Sequence, residues 1–214
     1  SDLQASGDID INARQGAVLN TADNRQSQRG GGFNASAEVG AFVVPAAGTA
    51  VPSINVNVSA NGQNSNKVDA NHQHIDGKNV HIQSEGNVQL TGTQVNATEN
   101  LTLAGNNIRV DGAQSHADNV AVNVGAGVAI GANVSNLGIN GNLKVETGNS
   151  LTHENAQLNG KNVKVQANQG IDLNAVSSKA DNLTLDAGNG NLNLQAEANK
   201  VNKTNVDLGL NLSG

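Results

Sequence analysis

Gly77-Lys78-Asn79-Val80-His81-Ile82-Gln83 returns, changed at two positions, as Gly160-Lys161-Asn162-Val163-Lys164-Val165-Gln166. The echo continues downstream, where Asn100-Leu101-Thr102-Leu103 recurs as Asn182-Leu183-Thr184-Leu185. The offset from Gly77 to Gly160 agrees with that from Asn100 to Asn182 to within one position, so one long unit is duplicated. Inside each copy runs a shorter beat, from Val80 to Leu101 and again from Val163 to Leu183. Its period, near 20, is the mark of stacked coils.

What sits on each beat decides the kind of coil. The doublets Val80/Ile82, Val88/Leu90, Leu101/Leu103, Ile108/Val110, Leu143/Val145, Val163/Val165, Ile171/Leu173, Leu183/Leu185 and Leu192/Leu194 all read apolar-x-apolar. Side chains two apart share a face only in a strand, so each beat is a short strand with one buried side. Two such strands per coil are expected, each pairing with its equivalent one coil later. Gly and Asn between them suit the corners, because Gly takes positive φ freely and Asn tolerates it. One coil adds roughly 4.8 Å along the axis, and a stack of coils has no size ceiling. Residues 1–214 therefore read as a single all-β repeat domain.

Three departures interrupt the rhythm. After an opening coil with Leu3, Ile9/Ile11 and Val18/Leu19 as its beats, residues 21–75 hold alternating arms, Phe33 to Val43 and Ile54 to Val58, with Pro45 and Pro52 bracketing a turn. That is a β-hairpin outside the coils. Coils resume from Asp76 to Gly112. Residues 113–141 repeat the excursion in shorter form, Val120 to Val124 leading through Gly125-Ala126-Gly127 to Val128, Ile130 and Val134. Three further coils are expected from Asn142 to Ala198, and residues 199–214 begin a third excursion. Phe33, Val120 and Val206 lie at nearly equal intervals, so the hairpins recur with the long repeat. Ser27-Gln28-Arg29, Ser115-His116-Ala117-Asp118 and Asn199-Lys200-Val201-Asn202 are the polar runs that enter them. The apolar side of each arm is expected to pack beside the coils or on the next hairpin, where burial is worth about 25 cal/mol per Å².

Composition narrows the function classes. The 214-residue chain has a formal charge of −6, and only 14% of its residues are charged, so no basic stripe invites nucleic acid or anionic lipid. It has no Cys, which removes disulfides, thiol catalysis and Cys-based zinc sites together. Without Met, leader or 18-residue apolar run, the chain reads as an internal piece of something longer. Two Phe are the only aromatics, whereas sugar-processing coils need aromatic platforms and a paired carboxylate. No small-molecule substrate is expected.

The doublets in short coils, Gly-Lys-Asn-Val-x-Val-Gln followed by Asn-Leu-Thr-Leu, are broken by Gly/Ala/Val-rich excursions. In this the chain resembles the haemagglutinin repeats of filamentous haemagglutinin-like exoproteins of Gram-negative two-partner secretion systems, over essentially its whole length. That family includes adhesins and contact-dependent growth inhibition toxins. The resemblance implies a right-handed parallel β-helix with extra-helical β-hairpins, exported unfolded through an outer-membrane transporter to the cell surface. The Asn-Pro-Asn motif of the secretion domain and the Val-Glu-Asn-Asn motif preceding toxin domains are absent, which implies the stalk or repeat region. Two readings follow. One is a non-enzymatic adhesive stalk that meets a receptor on other cells. The other is the repeat region of a toxin-delivery protein engaging the target outer membrane; a downstream toxin with its immunity gene would favour it. A polysaccharide-cleaving enzyme ranks third.

No residue is assigned to catalysis, to a cofactor or to a metal. His72 and His74 would share a strand face, but no third ligand at suitable spacing accompanies them, and structural zinc wants four. His81, His116 and His153 stand alone and read as surface or groove residues. Asp8 and Asp10 flank Ile9 on an outer strand face, without the converging partner that acid/base work requires. Ala187-Gly188-Asn189-Gly190-Asn191-Leu192 lacks the Asp of a calcium nonapeptide and reads as a tight corner. Gly30-Gly31-Gly32 has no phosphate-loop context and reads as a flexible hairpin root. Asn-x-Ser/Thr triplets such as Asn57-Val58-Ser59 and Asn100-Leu101-Thr102 are expected by chance in so Asn-rich a chain, and stacked Asn side chains are expected to form hydrogen-bond ladders.

Overall fold

Period-two alternation becomes strand throughout the chain. A computed structural model describes residues 2–44, 49–131 and 137–213, with the side chains of 41–52 left aside, and it is all-β. Contacts divide it into two compact units. The first comprises Ser1–Arg25, Val68–His116 and Leu151–Lys200, and the second Gln26–Lys67, Ala117–Ser150 and Val201–Gly214.

In chain order, β1 (Leu3–Gln4), β2 (Ile9–Ala13) and β3 (Gly16–Asn20) open the first unit, and β4 (Ala22–Val44) with β5 (Thr49–Asn71) forms most of the first excursion. The first unit continues with β6 (Gln73–Ser84), β7 (Asn87–Thr91) and β8 (Thr93–Asp111). The second excursion is β9 (Ala113–Ile130) and β10 (Leu137–Glu154). Then come β11 (Ala156–Asn159), β12 (Asn162–Asn174), β13 (Val176–Lys179), β14 (Asn182–Asp186) and β15 (Asn191–Gln195), before β16 (Lys200–Ser213) returns to the second unit.

The path of the first unit visits three parallel ladders in turn. On one, Ile9, Val80, Leu101, Val163 and Leu183 stand in register. On the next, Ala17, Val88, Ile108, Ile171 and Leu192 do the same. The third carries Leu3, Ile75, Val95, Leu158 and Ser178. Where no excursion intervenes, facing residues such as Asn79/Asn100 and Asn162/Asn182 differ by 21 and 20 in number. An intervening excursion stretches the interval to 71 for Asp8/Asn79 and to 62 for Asn100/Asn162.

Three expectations change. Each circuit has three strands, not two, and the third is not marked by a regular large doublet because its ladder carries Ala97 and Ala156 among its inward residues. The segment from Asn142 holds two circuits rather than three, since Leu143 and Val145 lie on β10 in the other sheet. Within the opening circuit, Ala17 is buried and Val18 is 61% exposed, so Ala17 and Leu19 are the inward pair.

The core is the stack of inward residues, each covered by its equivalents above and below. Leu101, Leu103, Ile82, Val165 and Ile171 are fully buried. The last circuit has no such cover, and Leu183, Leu192 and Leu194 are exposed. A cavity of about 590 Å³ opens there, lined by Leu158, Leu173, Leu183, Leu185 and Leu194. Corners are tight: Gly92 has φ +57°, its Cα facing Thr21 and Ala113 too closely for any side chain.

Polar columns run on the outside. Asn79 donates from Nδ2 to Asp8 (2.8 Å), Asn100 to Asn79 (2.8 Å), Asn162 to Asn100 (2.9 Å) and Asn182 to Asn162 (2.9 Å). Asp8, acceptor-only when ionised, sits where the column needs no donor. A second column joins Asn96 to Asp76 and Asn159 to Asn96, both at 2.8 Å. The expected Asn ladders exist, and Asn100 of the Asn100-Leu101-Thr102 triplet is one of their rungs.

Candidate interaction surface

The second unit is one five-stranded sheet in the order β16-β10-β9-β5-β4. Its pairing is antiparallel at every step, because facing residue numbers rise on one strand as they fall on the next. Ser27 Oγ donates to Asn66 Oδ1, whereas Gly40 faces Ser53. Asn57 and Ala70 of β5 meet Gly127 and Ser115 of β9; Gly125 and Gly127 meet Asn142 and Asn140 of β10; Gly148 and His153 of β10 meet Asn202 of β16 and Asn199 just before it. Successive excursions thus join edge to edge across the long repeat.

That register sorts the side chains. Residues directly opposite share a face, so Asn57, Gly127 and Asn140 mark a polar side. The same side carries Lys144, whose Nζ lies 2.6 Å from Glu146 Oε1. This hydrogen bond, then the charge attraction, with Asp207 adding to it, holds the Lys144 ammonium above its ordinary range. The alternate residues form the other side, along rows such as Val56, Val128 and Ile139, or Val124 and Leu143. This apolar side is not buried as the sequence led one to expect: Phe33 is 72% exposed, Val39 74%, Val128 40% and Leu208 60%. The hairpins satisfy their backbones by joining edges, which leaves their faces open.

The turns also sit elsewhere. β9 runs straight through Gly125-Ala126-Gly127, and Val134 lies outside the described residues. Pro52 falls within β5, and the residues between β4 and β5, Pro45 among them, lie outside the description. Gly30-Gly31-Gly32 is strand interior, not a flexible root: an added side chain at Gly32 would meet Asn61 Oδ1 at 2.7 Å. The polar entry runs do more than contact solvent. Ser27 bonds Asn66, Ser115 Oγ accepts from the Ala70 amide at 3.2 Å, and Asn199 Oδ1 accepts from the His153 amide at 2.7 Å.

The histidines fall into different settings within the first unit. His72 Nδ1 faces the Gly92 carbonyl (2.8 Å) and its Nε2 faces Glu154 Oε2 (2.5 Å), clamping residues of two separate circuits. The His74 amide donates to Asp2. His153 is neither surface nor groove: its side chain is 7% exposed, with Nε2 3.2 Å from Gln114 Nε2 and 3.8 Å from Glu197 Oε2. His81 Nε2 contacts Gln83 Oε1 at 2.8 Å, and His116 is exposed. Among the described residues, no group of three or more His, Asp or Glu is placed to hold a metal. Asp8 belongs to the Asn column, Asp10 is exposed, and Gly188 turns with φ +59° while its amide donates a hydrogen bond to Asp186 Oδ1.

Sequence reasoning missed a charged column in the first unit. Lys161 Nζ lies 2.9 Å from Glu99 Oε1. The hydrogen bond and then the charge of Lys161 hold the Glu99 carboxyl below its ordinary range, with Lys78 assisting; Lys161 is raised in turn, with Asp181 assisting. Lys78, Glu99, Lys161 and Asp181 each precede an Asn of the ladder, so charge alternates from circuit to circuit. The Gly-Lys-Asn echo was its signal.

The family model for the hemagglutinin repeat matches residues 1–97 and 54–209, two overlapping copies that together span nearly all of the sequence. The chain belongs to the hemagglutinin repeat family. This membership points to secreted or cell-surface exoproteins and to an adhesive or stalk segment of the filamentous haemagglutinin type. No curated protein and no solved structure matches this hemagglutinin-repeat chain.

Proposed function

We propose that the first unit is a right-handed parallel β-helix with a coil period near 20, and that the chain is a non-enzymatic adhesive stalk segment. In this reading it belongs to a large exoprotein on a Gram-negative cell surface. The observation that carries it is the register: like residues of successive circuits stand side by side on three parallel ladders. Such a stack gains stability through neighbouring coils alone and needs no closed core, which suits a spacer. Its outer-membrane transporter would receive the chain unfolded, and the absence of Cys leaves nothing to cross-link on the way.

Adhesion follows from the exposed sheet, which presents uncharged apolar side chains to solvent. The test is attachment of beads coated with the purified chain to bacterial and animal cells, against beads carrying a Leu101→Asp chain. Saturable attachment by the native chain alone supports the reading. Equal attachment by both, or glycan turnover by the native chain, would overturn it.

A further inference from the structure

We propose that the apolar face of the five-stranded sheet is a self-association surface, covered in solution by the same face of a second copy to give a two-layer sandwich. The first argument is area. Most of the large apolar side chains of this face are 37–74% exposed, from Val58 and Ile139 at the low end to Val39 at the high end, while Val122, Leu143 and Val145 are half-buried. They leave on the order of 1,000 Å² of apolar surface, where the largest patch on a monomer is typically about 300–600 Å². A specific interface takes about 800 Å² from each partner, so one face is sufficient for a stable dimer.

The second argument is complementarity. A two-fold pair brings one patch against itself, so anything charged on it would meet its own kind. From Phe33 to Val39, Ile54 to Ala60, Val124 to Ile130, Leu137 to Leu143 and Leu208 to Leu212, the residues of this face include no charge, and Arg29 and Asp118 lie on it only at the margin, in or beyond the row of Val120. Glu38, Lys144, Glu146 and Asp207 all project from the opposite side. Two chains of formal charge −6 therefore meet over a central patch where neither carries charge, with one cation and one anion of each, Arg29 and Asp118, at the rim.

The third argument is shape. A sheet buries a face against another layer, and two sheets pack with interdigitating side chains about 10 Å apart. Rows of Val, Ile and Leu with Ala126 and Gly141 between them supply such a surface. The interface is isologous and lies within the sheet.

Light scattering with size exclusion on the whole chain tests this. The native chain is expected at dimer mass, Val128→Lys at monomer mass with an unchanged circular-dichroism spectrum, and Ser36→Lys on the polar side at dimer mass. Val56→Lys is a second face variant in case the first fails to fold. A native monomer at about 100 µM, a concentration well above the Kd expected of a specific interface of this size, would overturn the proposal. So would a dimer that survives both face variants, which would place the contact at strand edges. Uptake of the native chain onto neutral phosphatidylcholine vesicles in preference to dimerisation would overturn it in favour of a lipid surface.

Discussion

Asn162 donates from its side-chain amide to Asn100 across 2.9 Å, although the two differ by 62 in sequence number. Where no excursion intervenes, Asn182 makes the same bond to Asn162 at a separation of only 20. The longer detour therefore leaves the column in step. The reason is that the excursion closes on itself as paired strands, so the coil resumes one strand spacing further along.

Asn100 makes two bonds of this column, and Asn182, at its end, makes one. Asn100→Ala is expected to cost about 1–2 kcal/mol and Asn182→Ala about half as much, given roughly 0.5–1.5 kcal/mol for each hydrogen bond. Urea unfolding of the two variants checks the ratio. Equal losses would mean the column is not cooperative with the stack.

Leu101 is fully buried and its register partner two circuits on, Leu183, is 52% exposed. Leu101→Ala is expected to lose about 2–5 kcal/mol, as for buried leucines generally, and Leu183→Ala no more than about 1 kcal/mol. Thermal melts followed by circular dichroism distinguish them.

Gly92 adopts φ +57°, and a side chain there would run into Thr21 Cγ2 and, at 2.8 Å, Ala113 Cβ. Gly92→Ala is expected to cost about 1–3 kcal/mol from backbone strain and overpacking together. Gly7, with nothing within 4 Å of an added Cβ, is the control: Gly7→Ala should be near neutral.

The Glu99 carboxyl titrates below its ordinary range because Lys161 bonds it and attracts it. A depressed folded-state value contributes stability at pH above the unfolded value, and that stability is lost as the pH falls through the folded value. Lys161→Ala is expected to return the Glu99 midpoint upward, as read by carboxyl carbon NMR, and to flatten the acid limb of the Tm profile. An unmoved midpoint would mean the pair is not formed in solution.

Much of the coil was legible before any coordinates. The doublets at Val80/Ile82, Leu101/Leu103 and Val163/Val165 face inward because alternation in a strand fixes which side is buried. The Asn columns were legible for a related reason: a polar residue repeated once per coil, next to inward apolar ones, must stack on its own kind. The third ladder was hidden because Ala97, Ala156 and Ser178 give weak hydrophobic signal. Leu143 and Val145 read as a coil because strands of either unit alternate with the same period.

By itself the sequence determined the strand class and most of the inward residues of the first unit, since these follow from local alternation. Only the tertiary structure decided how the strands of the excursions pair. Edge pairing of β5 with β9 and of β10 with β16 joins segments that local rules treat as separate hairpins. That choice satisfies the backbone hydrogen bonds of every inner strand while leaving an apolar face uncovered, and no single hairpin contains the information to say so.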